Sequence, residues 1–359
     1  MLASSLPIDT SQSGLVPIIS SSPDGLRWSV PIEIAPNNGD FMDKDWIVCD
    51  NNATSPYRGR CYDEWDDVAL GDQVMMSTSN DGGKSWSTPY AVPNARGLGG
   101  QPLAQPSGRA IVPYLDINGN ISAFSSNNGG KTWGADVLVS GVAVHAEAAN
   151  LRSEPLPSAQ VDAGGTVYVI WQDCSFRVGC AANDIVLSRS SDGIRWSSPS
   201  RIPIDTTSST VDLFIPGIGV APSTGGANAR LGVTYYYYPV SNCSQATCRL
   251  TSGYIASQNG GRTWQQPVTL TNGIPVTWLP NTTLGYMVGD YAAATFTTSG
   301  AHGVFATASA PASGRFAEAL YTSAAGLESI SGPELDSSSD RRIPGARSDR
   351  RFVGRRTAY

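Results

Sequence analysis

The sequence predicts an all-β chain folded as a six-bladed β-propeller, and three observations carry that expectation. A motif of Ser, Asp or Asn, and Gly that closes on Trp occurs five times, ending at Trp28, Trp86, Trp133, Trp196 and Trp264. Successive tryptophans stand 47 to 68 residues apart, near the length of a four-stranded blade. The 359 residues include 38 Gly and 24 Pro, with short β-rich runs between turns and no amphipathic helix pattern of convincing length.

Each motif copy follows a β-rich run such as Val74-Met75-Met76-Ser77 or Ile185-Val186-Leu187-Ser188. Three copies have full spacing, as in Ser79-Asn80-Asp81-Gly82-Gly83-Lys84-Ser85-Trp86, and the copies at Trp28 and Trp196 are one residue tighter. The Asp or Asn accepts hydrogen bonds from amides of its own turn, Gly supplies positive φ, and Trp buries its ring while its indole N–H seeks a partner. These positions are therefore expected to be structural.

Placing each motif between the third and fourth strands of a blade lays out the chain. Blade two takes Trp46–Cys49, Arg60–Trp65, Gln73–Ser77 and Tyr90–Val92, and blade three Pro102–Gln105, Ala110–Leu115, Ile121–Phe124 and Val137–Val139. Blade four takes Ser158–Asp162, Thr166–Gln172, Asp184–Ser188 and Pro199–Ile202; blade five takes Phe214–Val220, Arg230–Tyr238, Ser252–Ala256 and Val268–Thr271. Blade six takes Asp290–Thr297, Gly303–Ala308 and Ala317–Thr322. Blade one has a single strand, Leu15–Ile19, before its motif, so it reads as incomplete. Seven blades is the alternative, because residues 272–290 form a long stretch with no assigned strand. Residues 1–336 read as a single propeller domain and 337–359, with seven arginines, as a disordered tail.

The repeats match the consensus Ser-x-Asp-x-Gly-x-Thr-Trp, and over roughly residues 14 to 335 the chain resembles the Asp-box (BNR-repeat) β-propellers, best known from sialidases. The resemblance implies the fold more strongly than the activity. In those enzymes the site lies on the face opposite the boxes, three arginines clamp the substrate carboxylate, a Tyr paired with Glu is the nucleophile, and an Asp is the acid/base. Carried over by motif, Arg152 stands for one arginine, Tyr291 or Tyr286 lies near the nucleophile position, and Asp9 precedes the first box. The match is incomplete: no Arg occurs between Trp264 and Arg315, and Arg201-Ile202-Pro203, similar in letters to an inner-strand motif, ends a blade instead.

Bulk properties narrow the rest. A net charge of −6, with 15% charged residues, gives no general attraction to nucleic acid or to an anionic membrane, and no run of 18 apolar residues exists. The six cysteines fall into three close pairs, Cys49/Cys61, Cys174/Cys180 and Cys243/Cys248, which suits three local disulfides and a secreted, cell-surface or periplasmic location. No signal peptide is visible in Met1–Ser5. With only His145 and His302 present, zinc is not expected, and Asp43, Asp45 and Asp50 lack the Gly and Glu of a calcium loop, so neither metal nor cofactor is expected.

The loops opposite the motif turns hold the candidate site. Asp43-Lys44-Asp45-Trp46 opens blade two, and Arg152-Ser153-Glu154 precedes blade four. Asp212 opens blade five, Asp290-Tyr291 opens blade six, and Asp173 and Arg177 flank a disulfide loop. Glycoside hydrolysis needs one carboxylic acid to protonate the leaving oxygen and a second group to meet the cationic centre. The expected catalytic set is Asp43, Asp45, Glu154, Asp212, Asp290 and Tyr291, with Asp45 or Asp212 as acid/base and Tyr291 or Glu154 as nucleophile or its helper. Lys44, Trp46, Arg152, Asp173, Arg177 and Tyr238 are expected to bind substrate, Arg152 as an anion clamp. The functional expectation is an exported, monomeric, sialidase-like glycoside hydrolase, or a relative that cleaves acidic polysaccharide. The alternative is a propeller that binds glycan or protein without catalysis.

Overall fold

The computed structural model describes residues 1–7, 16–36, 41–327, 333–337 and 340–343. It divides into two compact units, the described residues of Met1–Gly141 with Ser191–Trp196, and those of Val142–Ser190 with Ser197–Arg351.

The first unit carries antiparallel sheets in sequence order. Leu2–Ser5, Ile18–Ser21 and Ile32–Glu33 form a three-stranded sheet. Met42–Cys49, Cys61–Asp67, Gln73–Ser79 and Tyr90–Leu98 form the next meander, which joins Ala110–Asp116, Ile121–Ser126 and Val137–Ser140 through the pairs Gly97↔Asp116 and Leu98↔Leu115. Two cores stabilise it, one around Tyr62, Met76, Val112, Phe124 and Trp133, the other around Val16, Ile19, Met42 and Trp65. Fully burying such side chains contributes about 1.5–3 kcal/mol each. The sequence reading of the first blade is corrected here: two strands precede its motif, not one, because Leu2–Ser5 pairs with Ile18–Ser21. Polar Ser4 and Ser5 hid that strand.

The second unit holds Ser158–Val161, Val167–Asp173, Asp184–Ser190 and Ser200–Arg201 in one sheet. Asp212–Val220, Leu231–Tyr238, Arg249–Ser257 and Val268–Thr269 form a second, and Ala293–Thr297, Gly300–Ala312 and Arg315–Thr322 a third. Within the long stretch 272–290 lie a short 3-10 helix, Val276–Trp278, and a small hairpin, Asn281–Thr282 with Gly285–Tyr286. Asp9 lies outside the described residues. Of the Arg-rich stretch, Ser337 and Asp340–Ile343 are described; Ser337 Oγ donates to Gly261 O at 3.1 Å, and Asp340 accepts from Arg201 at 3.0 Å.

The five repeats adopt one hydrogen-bonding pattern. Lys84 and Ser85 N–H donate to Asp81 Oδ1 at 3.0 and 2.9 Å, while Gly83 N–H donates to Ser79 Oγ at 2.7 Å. Asp24, Asn128, Asp192 and Asn259 accept from the equivalent amides. The Ser85 hydroxyl and amide hold the Asp81 carboxyl below the usual carboxylate range. The tryptophans behave less uniformly than expected. Trp133 and Trp264 are buried and Trp28 is exposed, and among the described residues only Trp86 has the expected indole bond, to Gly83 O at 3.2 Å. The indole N–H groups of Trp133, Trp196 and Trp264 are buried with no partner among the described residues.

All three disulfides form as paired in the sequence: Cys49–Cys61, Cys174–Cys180 and Cys243–Cys248. No helix among the described residues is long and apolar enough to cross a membrane.

Candidate active site

In the first unit the Asp43–Trp46 segment sits on a β-bulge. Register between Met42–Cys49 and Cys61–Asp67 runs Asp43↔Asp66 and resumes at Trp46↔Glu64, so Lys44 and Asp45 together face Trp65 alone. Lys44 takes φ 59°, and its N–H donates to Asp43 Oδ1 at 2.9 Å. A left-handed non-glycine residue stores strain and persists only where its surroundings over-determine it. Here a cross-strand disulfide, Cys49–Cys61, pins the far end of the same pair.

The partner strand is unusual for its burial. Every residue of Cys61–Asp67 is buried, including Asp63, Glu64, Asp66 and Asp67. An ionised carboxylate in such a place is costly, and for Asp63 and Glu64 the protonated form is favoured. Burial pushes Asp63 well above the usual range, with the Asp45 charge adding and a Ser4 hydroxyl opposing. Burial pushes Glu64 up likewise, reinforced by Asp66, Asp63 and Asp45 and partly offset by the Gly100 amide. Asp45 is half-buried as a residue, with its Oδ2 shielded from solvent, and its carboxyl is also raised, mainly by burial, with Ser4 opposing and Asp43 adding. A carboxyl that holds its proton more tightly than an ordinary aspartate is suited to act as a general acid. Trp46, also half-buried, follows it in the chain. Among the described residues no group of three or more His, Cys, Asp and Glu is arranged to hold a metal ion.

In the second unit a buried polar network gathers side chains from distant segments. Asn183 is its hub: its Nδ2 donates to His145 O at 2.8 Å and Glu147 Oε1 at 3.2 Å, and its backbone N–H donates to Asp212 Oδ1 at 2.7 Å. His145 N–H returns a bond to Asn183 Oδ1 at 2.8 Å, and His145 Nδ1 lies 3.2 Å from Asp212 Oδ2. Gln172 Nε2 donates to Glu147 Oε1 at 2.7 Å, and Gln172 Oε1 accepts from Ile215 N–H, a residue at φ 47°. Tyr238 stands opposite Asp212 in the sheet with its hydroxyl buried. Burial, then the charges of Glu147 and Asp212, push that hydroxyl's pKa up.

Beside this network, Arg152 NH2 donates to Asp290 Oδ2 at 3.0 Å, and Arg152 N–H donates to Tyr286 O at 2.7 Å. Glu154 and Tyr291, two residues after Arg152 and one after Asp290, are half-buried. Asp173 and Arg177 fall in a different network. Arg177 donates to Asp184 at 2.9 and 2.6 Å, to Asp205 at 2.7 Å, and to the Thr206 and Ser209 carbonyls. Arg201 shares Asp184 and Asp205 and reaches Asp340 at 3.0 Å. Burial raises Asp184 despite its two arginines. Asp173 accepts from Trp171 Nε1 at 3.3 Å and from Arg342.

The structure thus brings Asp43 and Asp45 beside acids that the sequence reading passed over, Asp63, Glu64 and Asp66. It also brings Asp212 and Tyr238 beside His145, Glu147, Gln172 and Asn183, likewise not singled out. A usable signal existed for the first group: four acids in the six residues Tyr62–Asp67, on a segment already assigned in part to a strand. No local signal marks the second, whose hub lies 38 and 29 positions from its partners.

No protein-family profile matches the sequence, and no curated protein matches it. Solved structures similar to the chain include a Hadza microbial sialidase, 14% identical, covering 90% of this chain and 61% of that one, at a TM-score of 0.49. The NanB sialidase from Streptococcus pneumoniae is 14% identical, with 85% and 62% covered and a TM-score of 0.47. A variant of the α-L-arabinofuranosidase from Fusarium graminearum is 13% identical, with 73% and 74% covered and a TM-score of 0.46. The chain spans 61% of the length of the first of these.

Proposed function

We propose that this protein is an exported glycan-cleaving enzyme, a sialidase-like glycoside hydrolase or a polysaccharide-cleaving relative, built on a closed six-bladed propeller with Asp-box turns. The observation that supports this reading most is the Asp45 carboxyl, raised by burial, on a half-buried residue, and set on a strained bulge beside Asp43. In this reading Asp45 protonates the glycosidic oxygen, Asp43 supplies the second carboxylate, and Lys44 and Trp46 contact the sugar. Burial, reinforced by the Asp43 charge, favours the protonated form of Asp45. Arg152, Glu154, Asp212, Tyr238, Asp290 and Tyr291 are proposed as glycan contacts of the second unit. The three disulfides support export.

The test is release of sugar from aryl sialosides and from acidic polysaccharides. Asp45→Asn is expected to lower turnover by roughly 10²–10⁴-fold with little change in melting temperature. Full activity in Asp45→Asn removes Asp45 from the chemistry, and no release from any substrate removes the enzyme reading. A second reading, glycan binding without catalysis, is favoured by the pairing of Arg152 with Asp290, which engages the expected anion clamp. Tight glycan binding without turnover would establish it.

A further inference from the structure

A Ser–His pair lies in the second unit, on a hairpin that carries none of the residues assigned above. Ala293–Thr297 and Gly300–Ala312 form a hairpin whose tip is Thr298-Ser299. His302 stands on the second strand, 9% exposed, with its ring turned toward the tip. Its Nδ1 lies 2.9 Å from Ser323 O. A carbonyl oxygen only accepts, so Nδ1 carries the hydrogen, and in the neutral ring Nε2 is left as the acceptor. Two hydroxyls address that nitrogen, Ser299 Oγ at 3.1 Å and Thr297 Oγ1 at 3.1 Å.

The tip is held in place. A Cβ on Gly326 would stand 2.0 Å from Ser299 O, so the backbone there is in close contact, and Leu327 N–H donates to Ala301 O at 2.9 Å. Ser299 is exposed and opens, with His302, onto a groove of about 770 Å³. Val304, Leu320 and Tyr321 line its other side, Leu320 and Tyr321 being 76% and 51% exposed. A hydroxyl nucleophile, a base within hydrogen-bond reach and a third group that fixes the base's tautomer are the parts of a base-activated serine.

We propose that Ser299 and His302 form an acyl-accepting site for carboxylic esters with a short apolar acyl group. Ser299 Oγ attacks the ester carbonyl carbon while its proton passes to His302 Nε2. The carbonyl carbon–alkoxide bond then breaks, and the leaving oxygen takes the proton from Nε2. Water then attacks the acyl carbon as His302 Nε2 takes its proton, the bond from that carbon to Ser299 Oγ breaks with the proton returned to Oγ, and the carboxylic acid departs. The acyl group lies in the apolar groove.

The test uses the whole chain and a fluorophosphonate probe, which forms a phosphorus–oxygen bond to an activated serine and expels fluoride. Mass spectrometry should find the label on the peptide holding Ser299, absent in Ser299→Ala and at least about 100-fold slower in His302→Gln. No label on that peptide, or undiminished labelling in a folded His302→Gln variant, overturns the proposal. A second comparison leaves His302 in place: Ser299→Cys should be alkylated by iodoacetamide at least about 10-fold faster than Thr298→Cys, its neighbour at the same hairpin tip. Equal rates overturn it. Hydrolysis of p-nitrophenyl acetate that follows the labelling across these variants would extend the site from capture to turnover; capture alone restricts it to a reactive serine and overturns the hydrolytic step.

Discussion

Glu64 packs directly against Gly100: a Cβ built on that glycine would stand 2.4 Å from the Glu64 Cδ and Oε1 atoms. The glycine leaves room for the Glu64 carboxyl group. Gly100→Ala is therefore expected to destabilise by about 1–3 kcal/mol, since Glu64 is fully buried and has nowhere to swing. Denaturant unfolding of the two proteins checks it, and pairing Gly100→Ala with Glu64→Ala should recover most of the loss.

The buried acids also set the pH dependence. A carboxyl group whose folded pKa lies above its unfolded one binds more protons in the folded state, so its contribution is complete at acid pH and is lost as pH rises. Asp45, Asp63 and Glu64 all shift that way. Asp24 and Asp81 shift oppositely, but their contribution is lost only as pH falls below the usual carboxylate range. Stability should therefore decline from about pH 4.5 toward pH 7, by up to about 1.4 kcal/mol per pH unit for each proton involved. Glu64→Gln, neutral at every pH, should flatten that slope and raise stability at pH 7. A profile rising over the same range would contradict the assignment.

Asn183 is expected to be the costliest single amide in the second unit. Asn183→Ala leaves the His145 backbone N–H and carbonyl and the Glu147 carboxylate each short of a bond in a buried setting. The expected loss is about 2–4 kcal/mol by urea unfolding, because unsatisfied buried groups cost more than the bonds themselves contribute. Asn183→Asp should be no milder, since it sets a third carboxylate beside Glu147 and Asp212.

What the sequence made legible was local. The turn around Asp81 is fixed by groups within four residues of it, and strands such as Ala110–Asp116 and Asp184–Ser190 lie within two residues of where β-rich runs placed them. The candidate site was open to reading from sequence only where it coincided with such a local feature, as the Asp43–Trp46 segment does. Asp63 and Glu64 gave no sign of full burial, because an acidic strand reads as solvent-facing until register sets a bulge and Gly100 against it. Asp173 and Arg177 read as loop polar groups, yet Arg177 closes on Asp184 and Asp205. The same limit hid Leu2–Ser5, a strand made by pairing rather than by propensity.

The paired arginines of the second unit allow a ranking to be tested. Arg201 is 1% exposed and ties Asp184, itself sealed, to Asp205 and to Asp340. Removing its charge strands part of a buried carboxylate pair, so Arg201→Met is expected to cost about 3–5 kcal/mol. Arg342 also meets a buried acid, Asp173, but is itself 33% exposed, and Asp173 keeps the Trp171 indole and the Ser175 amide as partners. Solvent screens that pair and the acid retains its donors, so Arg342→Ala should cost about 1 kcal/mol or less. Ile343 N–H still donates to Ser175 O at 2.7 Å, so the segment has a second anchor. Urea unfolding of the two variants decides the order. If Arg342→Ala proved the more damaging, residues 340–343 would be a main support of the Asp173 loop rather than a chain laid over it, and truncation after Ser337 should then unfold the loop and expose the Cys174–Cys180 disulfide to reductant.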